Sequence, residues 1–322
     1  MSDQTPPALS PRPTPVEEVA NAVLASARYA ALDPTLVAQI ATQELGKGRR
    51  RKEAIKAVKT RLHQSVGAYW DGLADYAAWR AALVAAPDAT ARDSVLQAIL
   101  RNHHSMRERL PFLADFYRTL FAGLGPIRCV LDLGCGLNPL ALPWMQLPDV
   151  AHYLACDVDR EQMDFLAWWL AHYGQPGRAF VWNLLDGAPG IDAMNPDAGV
   201  QRRKDPSGGS GEGVNTSSDS LYAPLHPGGP APEPHTVDVA LLLKLAPCLE
   251  QLARGIVQRL LAELSARVLI VSFPAQSLGG QRKGMVENYS AQMETWLAGR
   301  PWAVERFEFP SELVYRIQRK MQ

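Results

Sequence analysis

The sequence predicts an α/β fold, an open and mostly parallel sheet preceded by an all-helical N-terminal domain. Three observations carry that expectation. From Val16 to about Leu124, apolar residues recur at three- and four-residue spacing, the period of helices buried on one face. From Arg128 the pattern changes to short, nearly continuous apolar runs, as in parallel strands covered on both faces. Helical patterns separate most of those runs, the alternation that builds right-handed β–α–β crossovers.

Residues 1–15 hold five prolines and few apolar groups, and read as a disordered tail. In "VEEVANAVLASARYAAL", Val16, Val19, Ala20, Val23, Leu24 and Ala27 share one helical face. Asp33-Pro34 reads as a cap followed by proline at the first helical position, opening a helix over 34–45. Alanine-rich segments with few β-branched runs predict further helices over 50–67, 72–85, 90–101 and 104–122. Strands are expected at 128–134, 152–158, 179–185, 237–245 and 267–273, with helices over 139–147, 160–173 and 249–264 between them. The last two runs, 303–310 and 312–320, have little between them and read as an antiparallel hairpin closing the sheet. Residues 187–235 break the scheme with "DPSGGSGEGVNTSSDS" and "HPGGPAPEPH". They read as a disordered insertion, whose length costs little because loop-closure entropy grows only logarithmically. The domains expected are a helical one over 16–124 and an α/β one over 125–322.

The 33 basic and 33 acidic side chains cancel, so no whole-molecule field draws the protein to nucleic acid and any such attraction is local. The four cysteines, Cys129, Cys135, Cys156 and Cys248, lie in or beside apolar runs without metal-ligand spacing. They read as small buried hydrophobes in a reducing compartment, and no metal is expected. The N-terminal stretch lacks a basic start followed by an apolar core, and no apolar run approaches the ~18 residues a membrane span needs. A cytoplasmic, membrane-free protein is the expectation.

Chemistry concentrates in "VLDLGCGLNPLALPWM". Asp132, Gly134 and Gly136 follow the first strand and precede a helix, where glycines let a ligand approach the backbone. The dinucleotide fingerprint needs a third glycine at position 139, which is Pro139, so a pyrophosphate is disfavoured there. Asp157 ends the second strand, where a carboxylate grips both hydroxyls of a ribose. An acid before the turn suits a phosphate-free nucleoside whose other end is cationic, such as S-adenosylmethionine. The competing reading is a bare strand-to-helix turn, weakened by how regularly ligands bind at such strand ends.

The acceptor of a methyl group is narrowed by absences. The Asn/Asp-Pro-Pro-aromatic motif of amino-group methylases is replaced by Lys244-Leu245-Ala246-Pro247. Cys248 has no partner cysteine near the fifth strand and reads as a helix-start core residue. His63, His103 and His104 read as structural. A ring nitrogen with a free lone pair needs no base, only positioning and field.

The run "GKGRRRKEAIKAVKTRLHQ" gathers Lys47, Arg49, Arg50, Arg51, Lys52, Lys56, Lys59 and Arg61 around a single acid, Glu53. Such runs are often just a solvated helix face. On a chain of zero net charge, this concentration favours a surface that tracks phosphates. A second pair, Arg282-Lys283, follows Gly279-Gly280 and is expected to open a helix on the ligand rim, where the helix dipole favours anions.

"DLGCGLNPLALPWM", "LLLKLAPCLE", "SFPAQSLGGQRKGM", "TRLHQSVGAY" and "MRERL" together resemble the aminoglycoside-resistance 16S rRNA (guanine-N7) methyltransferases, over roughly 16–186 and 236–322. The "SFPAQSLGGQRKGM" string is the most specific part; the glycine turn is shared with many methylases. The resemblance implies a Rossmann-like class I fold dependent on S-adenosylmethionine and a helical domain that docks on RNA. It also implies action on the decoding A site of the assembled 30S subunit; a monomer is expected. By resemblance, Arg109 lies near the methionine carboxylate, and Gly134 and Asp157 hold the cofactor. Lys244 falls in the matching "KLAPCLE", and Lys59 and Arg61 match the docking surface. Arg282, Lys283 and Met285 face the target nucleotide. Two features depart from the family: the insertion 187–235, and Asn183-Leu184 where relatives often carry an acid beside the adenine. Asp186 is displaced by two positions, and the Leu184 amide is a candidate replacement contact.

A small-molecule methylase with a helical lid is the second reading, which the basic run opposes. A non-catalytic ribosome-binding protein is the third, opposed by the intact Gly134, Gly136 and Asp157.

Overall fold

The structure is a computed structural model that describes residues 12–70, 72–173, 175–190, 237–275 and 285–319. Most of the expected tail and insertion, together with Arg282 and Lys283, lie outside the described residues.

The α/β fold class is observed. Strands β1 (Cys129–Leu133), β2 (His152–Asp157), β3 (Gly177–Val181), β4 (Val237–Leu243), β5 (Ala266–Pro274), β6 (Ala303–Phe309) and β7 (Glu312–Gln318) form one sheet in the order β3-β2-β1-β4-β5-β7-β6. The first five run parallel and the last two form the expected antiparallel hairpin. The hairpin folds inward, so that β7 pairs with β5 and β6 takes the edge. Composition explains the choice: "ELVYRIQ" is buried almost throughout, whereas "AVERFEF" is largely exposed. Between β1 and β4 the strand order reverses, which opens a crevice at the carboxyl ends of these strands.

The helical stretch is shared between two cores. Helices α1 (Pro15–Leu24), α2 (Pro34–Gly46) and α3 (Arg51–Ser65) bury Val19, Val23, Val37, Ile40, Val58 and Leu62 among themselves. Thr14 caps α1 and Asp33 caps α2, accepting the Thr35 amide at 3.0 Å. Helices α4 (Tyr76–Ala85), α5 (Ala89–Leu100), α6 (His104–Arg109) and α7 (Leu113–Phe121) instead share a core with one sheet face. There Leu96, Leu100, Phe116 and Tyr117 join Val130, Tyr153 and Val239.

Several expected boundaries move, each for a local reason. The helix expected over 104–122 breaks at Pro111 into α6, a 3-10 turn Leu110–Phe112 and α7, because proline removes an amide and crowds the preceding turn. Pro139 and Pro143 likewise reduce 139–147 to a 3-10 turn, Asn138–Ala141, and the single turn α8 (Leu142–Met145). Helix α9 (Arg160–Tyr173) matches expectation. The helix expected over 249–264 divides into α10 (Ala246–Leu252) and α11 (Ile256–Glu263) at Gly255, whose φ of 78° takes the left-handed region. The strand expected over 179–185 stops at Val181; Leu184–Asp186 leaves the sheet as a 3-10 turn capped by Asn183. Helix α12 (Met285–Leu297) packs on the opposite sheet face through Met293 and Trp296.

Strand alternation places Asp132 beside Val130, on the face covered by α7. Its carboxylate accepts from Tyr153 Oη at 2.7 Å and Asn138 Nδ2 at 2.9 Å, with 1% exposure. Burial pushes its pKa up to about 7, against the opposing pull of those hydrogen bonds and of Arg109. The folded protein thus holds a proton that the unfolded chain releases near pH 4. This contribution to stability is complete below that pH and is lost as pH rises toward 7. In Asp132→Asn that loss should vanish. Thermal midpoints of the variant and the wild type across pH 4.5 to 8 check it, and parallel curves contradict it.

Candidate active site

The crevice is an open cleft lined both by the strand tips and by the helical part. Its floor is the expected glycine turn. Gly134 and Gly136 take φ of +56° and +51°, where side chains are strained. A Cβ on Gly134 would come within 2.6 Å of Leu245 Cδ1, and one on Gly136 within 3.0 Å of His103 Nε2. The turn is tied to β2 by Cys135 N–H donating to the Cys156 carbonyl at 3.0 Å.

Asp157 stands at the tip of β2, on the cleft wall. Its Oδ2 accepts the Gly136 amide at 2.9 Å and its Oδ1 the Val158 amide at 2.7 Å. One amide per oxygen fixes the carboxylate and leaves a lone pair on each for a diol. Burial raises its pKa, and the two amides oppose the rise. Asn183 and Leu184, from the turn after β3, line the cleft as the sequence led one to expect.

The facing wall comes from the helical part, and sequence reasoning missed most of it. Leu36 of α2, Ser65 of α3, Tyr69 and His103 all line the cleft. His103 stacks on Tyr69 with ring centroids 6.0 Å apart and meets the Trp70 ring edge-on at 5.2 Å. Burial, with Arg109, His104 and Lys244 nearby, pushes its pKa down to about 3, so it is a neutral imidazole. Its Nδ1 is buried without a hydrogen-bond partner among the described residues. Cys248, at the start of α10 as expected, lies 3.0 Å from Tyr69 Oη.

Lys244 also lines the cleft, with an unusual φ of 57° held by its amide donating to Ser272 O at 3.1 Å and Oγ at 2.9 Å. Its Nζ sits 2.5 Å from Glu108 and 3.5 Å from Glu312. Arg109 does not line the cleft. Its guanidinium donates to both Glu312 oxygens, at 2.7 and 3.0 Å, and to Asn138 Oδ1 at 3.2 Å. Asp132 is likewise behind the wall, committed to Tyr153 and Asn138.

The basic run divides in two. Lys47, Arg49 and Arg61 converge on the buried Glu44 at 2.6, 2.8 and 2.9 Å. Arg61 also donates to the Leu252 carbonyl at 2.8 Å, joining α3 to α10. It is thus a staple between the helical part and the sheet rather than an outward contact. Arg51 pairs with Glu18 at 3.3 Å. Arg50, Lys52, Lys56 and Lys59 form no ion pair among the described residues, and the three lysines fall on one helical face. Met285 begins α12.

A family model described as ribosomal RNA methyltransferase (FmrO) matches residues 25–194 and 226–316. The chain belongs to that family. It is 32% identical to the 16S rRNA (guanine(1405)-N(7))-methyltransferase of Micromonospora echinospora, over 94% of this chain and 97% of that one. The protein of the same name from Serratia marcescens is also 32% identical, over 94% and 98%. Among solved structures, the 16S rRNA methyltransferase RmtF in complex with S-adenosyl-L-homocysteine superposes with a TM-score of 0.73 at 29% identity, covering 96% of this chain and 100% of that one.

The methyl donor of this FmrO-family enzyme is S-adenosylmethionine, and the residues present fit it. Asp157 suits the ribose diol, the side-chain-free Gly134 and Gly136 let the ligand lie against the backbone, and Leu184 and Trp182 offer apolar surface. Asp157→Ala should lower affinity for S-adenosylhomocysteine by at least about a hundredfold, since two hydrogen bonds to a charged acceptor are worth roughly 3 kcal/mol or more. Calorimetry measures this, and unchanged affinity removes Asp157 from the site.

Proposed function

We propose that the protein methylates N7 of a guanine in the decoding A site of 16S rRNA, the nucleotide its relatives' names number 1405, within the assembled 30S subunit. It acts in the cytoplasm as a single chain and confers resistance to 4,6-disubstituted deoxystreptamines. One observation carries this reading: helix α3 serves both halves of the task. Its end places Ser65 on the donor cleft, while Lys52, Lys56 and Lys59 offer unpaired charge to a phosphate backbone. A small-molecule methylase has no use for such a face.

S-adenosylmethionine supplies an electrophilic methyl group on sulfonium. Guanine N7 carries its own lone pair, so no side chain has to remove a proton. Held by Asp157 and the glycine turn, the donor would give up its methyl and leave as a neutral thioether, so that the positive charge would pass to the purine. The residues contribute accordingly. His103 stays neutral and adds no repelling charge, Glu108 and Glu312 balance Lys244 at the cleft wall, and Tyr69 and Leu245 line the cleft. Positioning and fixed dipoles are the remaining contributions. Arg282, Lys283 and Met285 position the target nucleotide in this reading.

Expression in a sensitive bacterium should allow growth on gentamicin and kanamycin but not on apramycin, with Asp157→Ala as the inactive control. Apramycin resistance, or no resistance at all, overturns the reading. Replacing Lys52, Lys56 and Lys59 together by alanine should weaken 30S binding. It should also reduce the slope of log affinity against log salt by roughly 2 to 3, as the phosphate contacts are lost. An unchanged slope makes that face merely solvated.

A further inference from the structure

The family's acid beside the adenine is absent here, and the structure puts an unbroken chain of hydrogen bonds in its place. The Leu185 amide donates to Asn183 Oδ1 at 3.1 Å, and Asn183 Nδ2 donates to Gln39 Oε1 at 3.1 Å. Gln39 Nε2 in turn donates to Asp186 Oδ1. Each link fixes the next. A backbone N–H has no other polarity, so Oδ1 of Asn183 must face Leu185 and Nδ2 must face Gln39. Asp186 accepts only, so the Gln39 amide cannot turn over without losing its partner. Asp186 is turned toward helix α2 and is not among the residues lining the cleft, so it does not replace the missing acid. Asn183, at 5% exposure, lines the cleft, with one lone pair on Oδ1 and one hydrogen on Nδ2 still uncommitted.

We propose that Gln39 is a specificity-determining positioning residue, which locks the Asn183 amide so that it reads adenine by both of its atoms. The inference rests on the cleft being the methyl-donor site. An amide held this way accepts from the exocyclic amino group of adenine and donates to an adjacent ring nitrogen, the bidentate pairing by which asparagine recognises that base. A carboxylate in the same place only accepts. A base with a carbonyl at position 6 opposes the locked Oδ1, and an amide rotation that would relieve the clash breaks the bonds to both Leu185 and Gln39. The helical part of the protein therefore selects the cofactor's base through a residue that need not touch it.

The test is calorimetric titration with S-adenosylhomocysteine and its hypoxanthine counterpart, S-inosylhomocysteine. Wild type should prefer adenine by at least about tenfold, the scale of one hydrogen bond lost and one acceptor pair opposed. Gln39→Leu should lose about tenfold in affinity for the adenine compound and less for the hypoxanthine one, because the Asn183 amide is then held by the Leu185 bond alone and turns more readily. Loss of fold alone would weaken both together. The double change Gln39→Glu with Asp186→Asn keeps an acceptor on Asn183 and reverses the outer bond, so it should restore the wild-type ratio. A wild-type ratio in Gln39→Leu, or failure of the double change to restore it, overturns the proposal while leaving the donor site intact. Binding of neither compound to wild type overturns both.

Discussion

Glu312 has no exposed surface, yet holds two cations, and the rim of the site is arranged around it. Burial alone would raise its pKa; Arg109 and Lys244 override that and hold the carboxyl below its usual range. With the partly exposed Glu108 on the other side of Lys244, two acids and two bases balance around a largely buried centre. Such groups are tolerable only together, since removing one partner of a buried pair leaves an uncompensated charge costing about 3–5 kcal/mol. The cluster joins α6, the end of β4 and the start of β7. It also shows why the hairpin folds inward. An antiparallel strand beside β5 brings its first residue, Glu312, opposite Pro274 at the ligand rim, whereas a parallel one would begin at the far end.

Two acids of one motif are separated by their place in the pleat. Asp132 lies within β1 and faces α7, so it is committed to Tyr153 and Asn138. Asp157 ends β2, where the chain turns away, and its oxygens meet the loop amides and the cleft instead. A phosphate-free ligand follows from this edge. Its donors and acids are arranged for hydroxyls and an amine, and no third glycine opens a helix end to a diphosphate.

Much of this was legible in the sequence because it depended on local chemistry. Apolar runs located the strands, Asp33 and Pro34 located a helix start, and Gly134, Gly136 and Asp157 lie together as their spacing implied. What stayed hidden depends on distant partners. Helical periodicity runs on through Pro111 and Gly255, and only the fold shows that each of them breaks it. The basic run gave its charge without revealing that Glu44, an acid from the preceding helix, engages three of its members. Arg109 was placed at the donor by resemblance, and the hundreds of residues to Glu312 carry no local trace of their pairing. Nothing in the sequence around His103 distinguishes it from a structural histidine; only the fold brings it over Gly136 beside Tyr69.

The helical part is best understood as half of the cleft rather than an appendage to it. Arg61 on α3 grips the end of α10, Gln39 on α2 grips the turn after β3, and the Asp33 amide donates to the carbonyl of Val158, next to Asp157, at 2.8 Å. These contacts hold α1–α3 against the ends of β2, β3 and β4, the same ends that carry the donor site. The lysine face of α3 is therefore fixed in register with the cleft. Preorganisation matters here because transfer to a ring nitrogen asks for little chemistry and much placement. A docking face free to swing would cost orientational entropy at each encounter. One tied by backbone hydrogen bonds to the strand tips has already met that cost in folding.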